Sequence, residues 1–225
     1  MSGDIHSGHR NRLRETFLKN GIDSLHDHNI LELLLFYAIP RADTNKLAHE
    51  LMDRFGTLAD VFDAPIEQLT AVPGVGENAA SLIKLIPPVS RRYQISRTSF
   101  ENIITSPSGA GEFLLPHFIG ERDEVVYIAC LDAKGKLLAC KLLFRGNVNS
   151  AGVSVRKIVE TAITFNASAV ILAHNHPSGI ALPSAEDRAT TIRIRDALAA
   201  VDVALTDHIV VADDDFISMA SNGVI

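Results

Sequence analysis

Residues 173–179, "AHNHPSG", place two histidines one residue apart at the end of the apolar run "SAVILA". In an extended strand alternate side chains share a face, so His174 and His176 point the same way, about 6–7 Å apart along the backbone. Asn175 points to the opposite face. Imidazole is the commonest metal ligand among side chains, and two on one face can share a small cation. Pro177 has no N–H to continue a ladder, so the strand ends at the second histidine. Downstream, "PSAED" puts Ser184 at the N-cap of a helix and Asp187 in its first turn, a capping-box arrangement that accounts for both residues. Capping does not account for the histidines. A short loop carries Asp187 back toward the strand end, so that His174, His176 and Asp187 supply three ligands of types that suit a catalytic zinc. The fourth position is then open to water, whose pKa zinc lowers to about 7. Such chemistry needs a proton carrier that is not itself a ligand. Glu124, at the head of "EVVYIACL", is the candidate, and Glu121 lies close enough in sequence to compete with it.

The elements that must position these residues follow from periodicity. Residues 10–86 show apolar side chains at three- and four-residue spacing in "HRNRLRETFLKNG", "HNILELLLFYAI", "NKLAHELMDRF", "TLADVFDA", "PIEQLTAV" and "ENAASLIKLI". Gly21, Pro40, Gly56, Pro65 and "VPGVG" punctuate them. The texture turns small and polar in "SRTSFENIITSPSG", and Ser106-Pro107 then opens a helix as N-cap and first helical residue. Beyond it come two apolar runs separated by "KGK", read as a strand pair, then a helix, the histidine strand, a second helix in "SAEDRATTIRIRDALAA" and a strand in "VALTDHIVVAD". The expected organisation is an all-helical domain over residues 1–98, a linker over 99–106, and an α/β (α+β) domain with a mixed sheet over 107–225.

Composition limits the function classes. The chain has 225 residues, is 47% hydrophobic and 21% charged, and has a net charge of −6. That is the make-up of a globular protein with a substantial core. No apolar run approaches the roughly 20 residues of a membrane span, and "MSGDIHSGHRNRLRE" lacks the apolar centre of a signal peptide, so the expected compartment is the cytoplasm. Residues 1–100 hold 11 Lys/Arg against 12 Asp/Glu, and residues 101–225 hold 10 against 15. A polyanion would therefore meet the first half. Cys130 and Cys140 flank a hairpin across which they can approach, and both are expected to remain thiols.

"HNHPSG" followed by "PSAED" resembles the JAMM metallopeptidase motif of MPN-type domains, with Ser184 and Asp187 on the motif's Ser-x-x-Asp places. With "GHRNRLRETFLKNG" and "ILELLLFYAIPRADTN" in the first half, the chain is most similar to the RadC family, named for DNA repair. The resemblance covers nearly the whole chain. It implies that His174, His176 and Asp187 bind zinc, that Glu124 acts as general base and then acid, and that Ser184 steadies the oxyanion of a tetrahedral intermediate. It implies cleavage of an amide or isopeptide bond in a peptide substrate of unknown identity. Two positions depart from the family pattern: Asn147 stands where threonine is usual, and Val155-Arg156-Lys157 stands where Pro-Arg-Glu is usual. The metal residues are untouched.

Other readings compete. In HNH nucleases those residues are spread over a strand and a helix; here they are contiguous. A metallo-β-lactamase wants Asp soon after the second histidine, a zinc deaminase wants Pro-Cys-x-x-Cys, and an amidohydrolase barrel wants far more chain. A scaffold with a structural or vestigial zinc, and a metal-dependent nuclease using the same ligands, remain as alternatives. "VPGVGENAA" resembles the hairpin of a helix-hairpin-helix, in which Gly74, Val75 and Gly76 would bring backbone N–H groups to a DNA phosphate. Glu77 and Asn78 stand where such hairpins carry a basic residue, so DNA contact and a structural or docking role stay open. Asp207 and His208 in "LTDHIVV" read as structural residues or as support for the site rather than as ligands. His6, His9, His26, His28, His49 and His117 read as surface or capping residues, and Arg10, Arg12, Arg14, Arg91 and Arg92 as solvated helix faces.

Overall fold

The computed structural model describes residues 3–40, 42–97, 103–104, 106–146, 154–177 and 179–223. The chain divides into two compact units, Met1–Ser90 and Arg91–Ile225. Asn147 and most of residues 99–106 lie outside the described residues.

The first unit is helical. Helices α1 (Gly3–Asn20), α2 (Asp27–Ala38), α3 (Thr44–Phe55), α4 (Leu58–Asp63) and α5 (Ile66–Thr70) follow in order, and α6 (Glu77–Arg97) begins in this unit, its residues from Arg91 on belonging to the second. Local chemistry starts and stops them. Asp43 caps α3 by accepting from the Asn45 N–H at 3.0 Å. Gly56 ends α3 at φ +97°, a conformation that favours glycine. Thr57 and Asp60 form a reciprocal capping box on α4. Leu31, Leu35, Leu51, Leu69 and Ile83 are fully buried in the core of this unit. Glu32 is also buried, and its carboxylate accepts from Asn45 Nδ2 at 2.9 Å and meets His9 Nε2 at 2.8 Å. Arg10 does not face solvent alone: its guanidinium donates to the carbonyls of Ile39, Pro40 and Ala42, so α1 ties down the chain just after α2.

Two expectations need correction. The helical pattern read from the sequence reaches Ile86, yet α6 runs on through Pro87 and Pro88 to Arg97. Proline's fixed φ is compatible with the helix, but each ring removes a hydrogen bond and crowds the carbonyl four residues earlier. His117 was expected at the surface; it is buried, with its ring packed against Phe113 and Tyr127. The 3-10 turn Leu115–Phe118 that carries it lies on the sheet core.

The second unit is built on strands β1 (Glu124–Leu131), β2 (Leu137–Gly146), β3 (Ala169–Asn175), β4 (Ala204–Ala212) and β5 (Asp215–Ser218). Their order is β2-β1-β3-β4-β5; only the β3/β4 pair is parallel, so the sheet is mixed, as expected. The short β5 was not foreseen: it is four residues long and follows a tight turn at Asp213, where φ is +52°.

Helix α7 (Pro107–Leu114) covers one face with Ala110, Phe113 and Leu114 against Val125, Ala129, Ile171 and Ile209. Helices α8 (Val155–Thr164) and α9 (Ala185–Ala199) cover the other, with Ile158, Ala162, Ile194 and Leu198 against Ile128, Val170 and Leu172. Gly111 lets α7 touch the sheet, since a Cβ there would meet the Phe216 ring at 2.0 Å. The cysteines do not face each other: Cys130 pairs in register with Ala139 and Cys140 with Ala129, which sends the thiols to opposite faces. Burial pushes Cys130 up to about 11 and Cys140 up to about 12, so both stay protonated. Among the described residues no helix is long and apolar enough to cross a membrane.

Candidate metal centre

Strand β3 runs between β1 and β4, and His174 sits across from Val126 on one side and Val210 on the other. It is 3% exposed. The ladder closes with the His176 N–H donating to the Val211 carbonyl at 2.8 Å, after which Pro177 turns the chain away. The loop that follows leads to the α9 N-terminus. There the capping box is complete. The Ser184 N–H and hydroxyl donate to Asp187 Oδ2 at 2.7 and 2.6 Å, and the Asp187 N–H donates to Ser184 Oγ at 3.0 Å. This cap fixes the Asp187 carboxylate at the end of the histidine strand.

Three ligand atoms converge as a result. His174 Nε2 and His176 Nε2 are 3.0 Å apart, Asp187 Oδ1 is 3.3 Å from the first, and Asp187 Oδ2 is 3.3 Å from the second. The far nitrogens are engaged elsewhere. His176 Nδ1 donates to the Ile180 carbonyl at 3.0 Å, and His174 Nδ1 lies 2.8 Å from His208 Nε2. A carbonyl can only accept, so His176 carries a hydrogen on Nδ1; the neutral ring turns a lone pair toward Asp187, and only a second proton, on Nε2, makes it a donor to that carboxylate. Among the described residues this is the one cluster of His, Cys, Asp or Glu able to hold a metal ion. Burial raises the Asp187 pKa, but hydrogen bonds from His174, His176 and Ser184 outweigh it and hold the carboxyl well below the usual range. The Asp187 hydrogen bond raises His176 more than burial lowers it. A proton on His176 thus satisfies part of this focus of lone pairs, and a divalent cation satisfies all of it. The donor set fits zinc: two imidazoles and one carboxylate, with a position left over.

The pairing register settles which acid shares this face. Val126 lies opposite His174, so Glu124, two residues before Val126 on β1, points to the same side of the sheet as His174. Burial raises the Glu124 pKa, and the charges it feels next are those of His174, Asp187 and His176. Glu121 is elsewhere. Its buried carboxylate is clamped by Arg91 and Arg145, the latter also through Nη2 at 2.8 Å. Arg91 is thus an ion-pair partner rather than part of a solvated face. Asn175, on the opposite face from the histidines, holds the backbone on either side of Glu124. Its Oδ1 accepts from the Val125 N–H at 2.7 Å and its Nδ2 donates to the Asp123 carbonyl at 3.1 Å.

Two comparisons bear on this geometry. Residues 6–81 match the UPF0758 N-terminal domain, and residues 104–224, more than half of the chain, match the RadC-like JAB domain. The chain belongs to the RadC family. The RadC-like JAB match spans every residue of the cluster and Glu124.

Of the two departures from the RadC pattern named above, the one on α8 lies among the described residues. Lys157, which occupies the place of a glutamate, donates from Nζ to the Leu143 carbonyl of β2 at 2.6 Å. Arg156 pairs with Glu160 one turn along α8 at 2.7 Å. Asp207 ties β4 to β5 by accepting from Ser218 Oγ at 2.6 Å and the Ala220 N–H at 3.0 Å. His208 is buried beside His174, where the sequence reading expected support for the site. In the helical unit, the hairpin of Gly74, Val75 and Gly76 joins α5 to α6. Gly74 takes φ +97°, the Val75 N–H donates to the Val72 carbonyl at 3.0 Å, and the Val75 side chain is buried in the core.

Sequence reasoning missed the Asn175 clamp and the hydroxyl of Thr191, which meets His208 Nδ1 at 2.6 Å. Thr191 could have been flagged, since it lies one turn after Asp187 on the same face of α9.

Proposed function

We propose that this RadC family protein is a zinc-dependent hydrolase of the JAMM type that cleaves an amide or isopeptide bond. The observation that carries the reading is the convergence of His174 Nε2, His176 Nε2 and the Asp187 carboxylate within 3.3 Å, with Glu124 on the same face of the sheet. His174, His176 and Asp187 would hold the metal. When bound, zinc supplies Lewis acidity that makes water a nucleophile near neutral pH and polarises a carbonyl.

The chain's own residues do the rest. Glu124 is not needed as a ligand, and its raised pKa moves it toward the range in which a carboxyl both takes and returns a proton. It accepts the proton of the attacking water and delivers it to the leaving amine nitrogen. Ser184 contributes by turning its hydroxyl proton from Asp187 Oδ2 to the oxygen of the substrate carbonyl, where charge develops. We give the Gly74–Val75–Gly76 hairpin a structural part, supported by the burial of Val75 and the acidic Glu77 at the start of α6.

The test uses zinc-loaded full-length protein against amide- and isopeptide-linked peptides. Hydrolysis should stop with a chelator, return with zinc, and fall about 10²- to 10⁴-fold in Glu124→Gln while bound zinc is unchanged. A Glu124→Gln protein as active as wild type, or zinc-loaded wild type inert toward both bond types, overturns the reading and leaves a scaffold.

A further inference from the structure

The His174–His208 contact is a bond between two imidazoles, and its direction decides whether His174 can be a ligand at all. Each neutral ring carries one N–H. If His174 donates from Nδ1, its Nε2 is bare and faces His176 Nε2 at 3.0 Å and Asp187 Oδ1 at 3.3 Å, a focus of lone pairs that a divalent cation fills. If His208 donates from Nε2 instead, His174 holds its hydrogen on Nε2, and the ligand atom is blocked.

The far side of His208 selects between the two. Its Nδ1 lies 2.6 Å from Thr191 Oγ1, and Thr191 Oγ1 lies 2.6 Å from the backbone carbonyl of Asp187. A threonine hydroxyl has one hydrogen. When His208 Nδ1 is the donor, Thr191 accepts from it and passes its own hydrogen to the Asp187 carbonyl, so both short contacts are satisfied. When His208 Nδ1 is bare, the single Thr191 hydrogen has two claimants, and one pair of acceptors faces each other at 2.6 Å with nothing between. The third neighbour of the hydroxyl, Met219 Sδ at 3.7 Å, is a weak acceptor and does not alter the choice. Thr191 is fully buried and His208 nearly so, so water does not supply the missing hydrogen.

We infer that Thr191 and His208 are positioning residues that hold His174 in the tautomer with a bare Nε2. The lock starts at the Asp187 backbone, so one ligand sets the proton of another. Helix α9 carries both Asp187 and Thr191, while β4 carries His208; correct docking of α9 on the sheet therefore completes the ligand set. Outer partners of metal-bound histidines are commonly carboxylates or carbonyls. A neutral imidazole in that place adds no negative charge, and the tautomer rests on the hydroxyl beyond it.

The inference rests on the metal-site part of the proposed function, but its first test does not need metal. Nitrogen-15 NMR of histidine-labelled, metal-free wild-type protein at alkaline pH reads which ring nitrogen carries hydrogen. The expected result is hydrogen on Nδ1 for both His174 and His208. Hydrogen on Nε2 of His174 overturns the inference, whatever the protein does with zinc. The second test measures zinc affinity by competition with a chromogenic chelator in Thr191→Val, which keeps the shape and removes the hydroxyl, and in Thr191→Ser, which keeps the hydroxyl. Thr191→Val should bind zinc about 10- to 100-fold more weakly and place hydrogen on His174 Nε2, with Thr191→Ser returning both readouts toward wild type. A Thr191→Val protein with wild-type affinity, or with weaker binding but an unchanged His174 tautomer, overturns it. Absence of zinc binding in wild type strikes the proposed function, whereas the tautomer measurement still decides the lock.

Discussion

Replacing Asn175 by alanine should loosen the start of β1 and, with it, Glu124. Asn175 is 5% exposed and spans the backbone on both sides of Glu124. Its removal leaves the Val125 N–H without a partner where Val125 is fully buried, and an orphaned buried donor costs about 1–3 kcal/mol. The Asp123 carbonyl loses a hydrogen bond contributing about 0.5–1.5 kcal/mol net. Together these give about 1.5–4.5 kcal/mol, or a fall in Tm on the order of 10 °C for a chain of this size. Thermal melting followed by circular dichroism measures the total, and hydrogen exchange at the Val125 amide localises it. Asn175→Asp keeps the acceptor for Val125 but sets a carboxylate oxygen against the Asp123 carbonyl, so it should not restore stability. An Asn175→Ala protein within about 0.5 kcal/mol of wild type, the range of an ordinary surface substitution, with Val125 still protected, would refute the clamp.

Further outcomes follow from the same packing. Burial raises the Glu121 carboxyl, but Arg145 and Arg91 lower it further, so its folded pKa lies below its ordinary value of 4.5. A depressed acid stabilises the fold above the unfolded pKa and loses that contribution as pH falls through the folded one. Wild-type stability should therefore drop more steeply below about pH 4.5 than that of Glu121→Gln, as followed by urea titrations across that range. At neutral pH Glu121→Gln should cost less than the about 3–5 kcal/mol of breaking a fully buried pair, because the Arg145 side chain is 45% exposed. Gly111→Ala should cost about 1–3 kcal/mol by driving a methyl into the Phe216 ring. Phe216→Leu should recover part of that loss in thermal melts of the double variant.

The site was legible where chemistry and spacing coincide in sequence. His174 and His176 share a face because a strand alternates, and Asp187 returns to them because Ser184 starts a helix after a short loop. Local rules carry both steps. The mixed sheet was legible for the same reason, since strand and helix runs differ in period, whereas the placing of α7 on one face and of α8 and α9 on the other was not. What depended on register or on a hydrogen's position was not legible. Glu121 and Glu124 differ by three places in sequence, and only the pairing of Val126 with His174 separates a clamped ion pair from a residue facing the cluster. Thr191 reads as an ordinary helix residue until its hydroxyl is seen between His208 and the Asp187 carbonyl. The continuation of α6 through Pro87 and Pro88 escaped because proline is a reliable stop only where the lost hydrogen bonds decide the outcome.

The central claim is that His174, His176 and Asp187 hold a divalent cation, and metal analysis tests it most directly. Mass spectrometric metal content would be measured on protein purified without a histidine tag, beside the His174→Ala, His176→Ala double variant. The account predicts about one zinc per chain in the wild type, as three protein ligands and one open position require, and none in the variant. A wild-type chain that stays metal-free after incubation with zinc, or a variant that retains the metal, would contradict it.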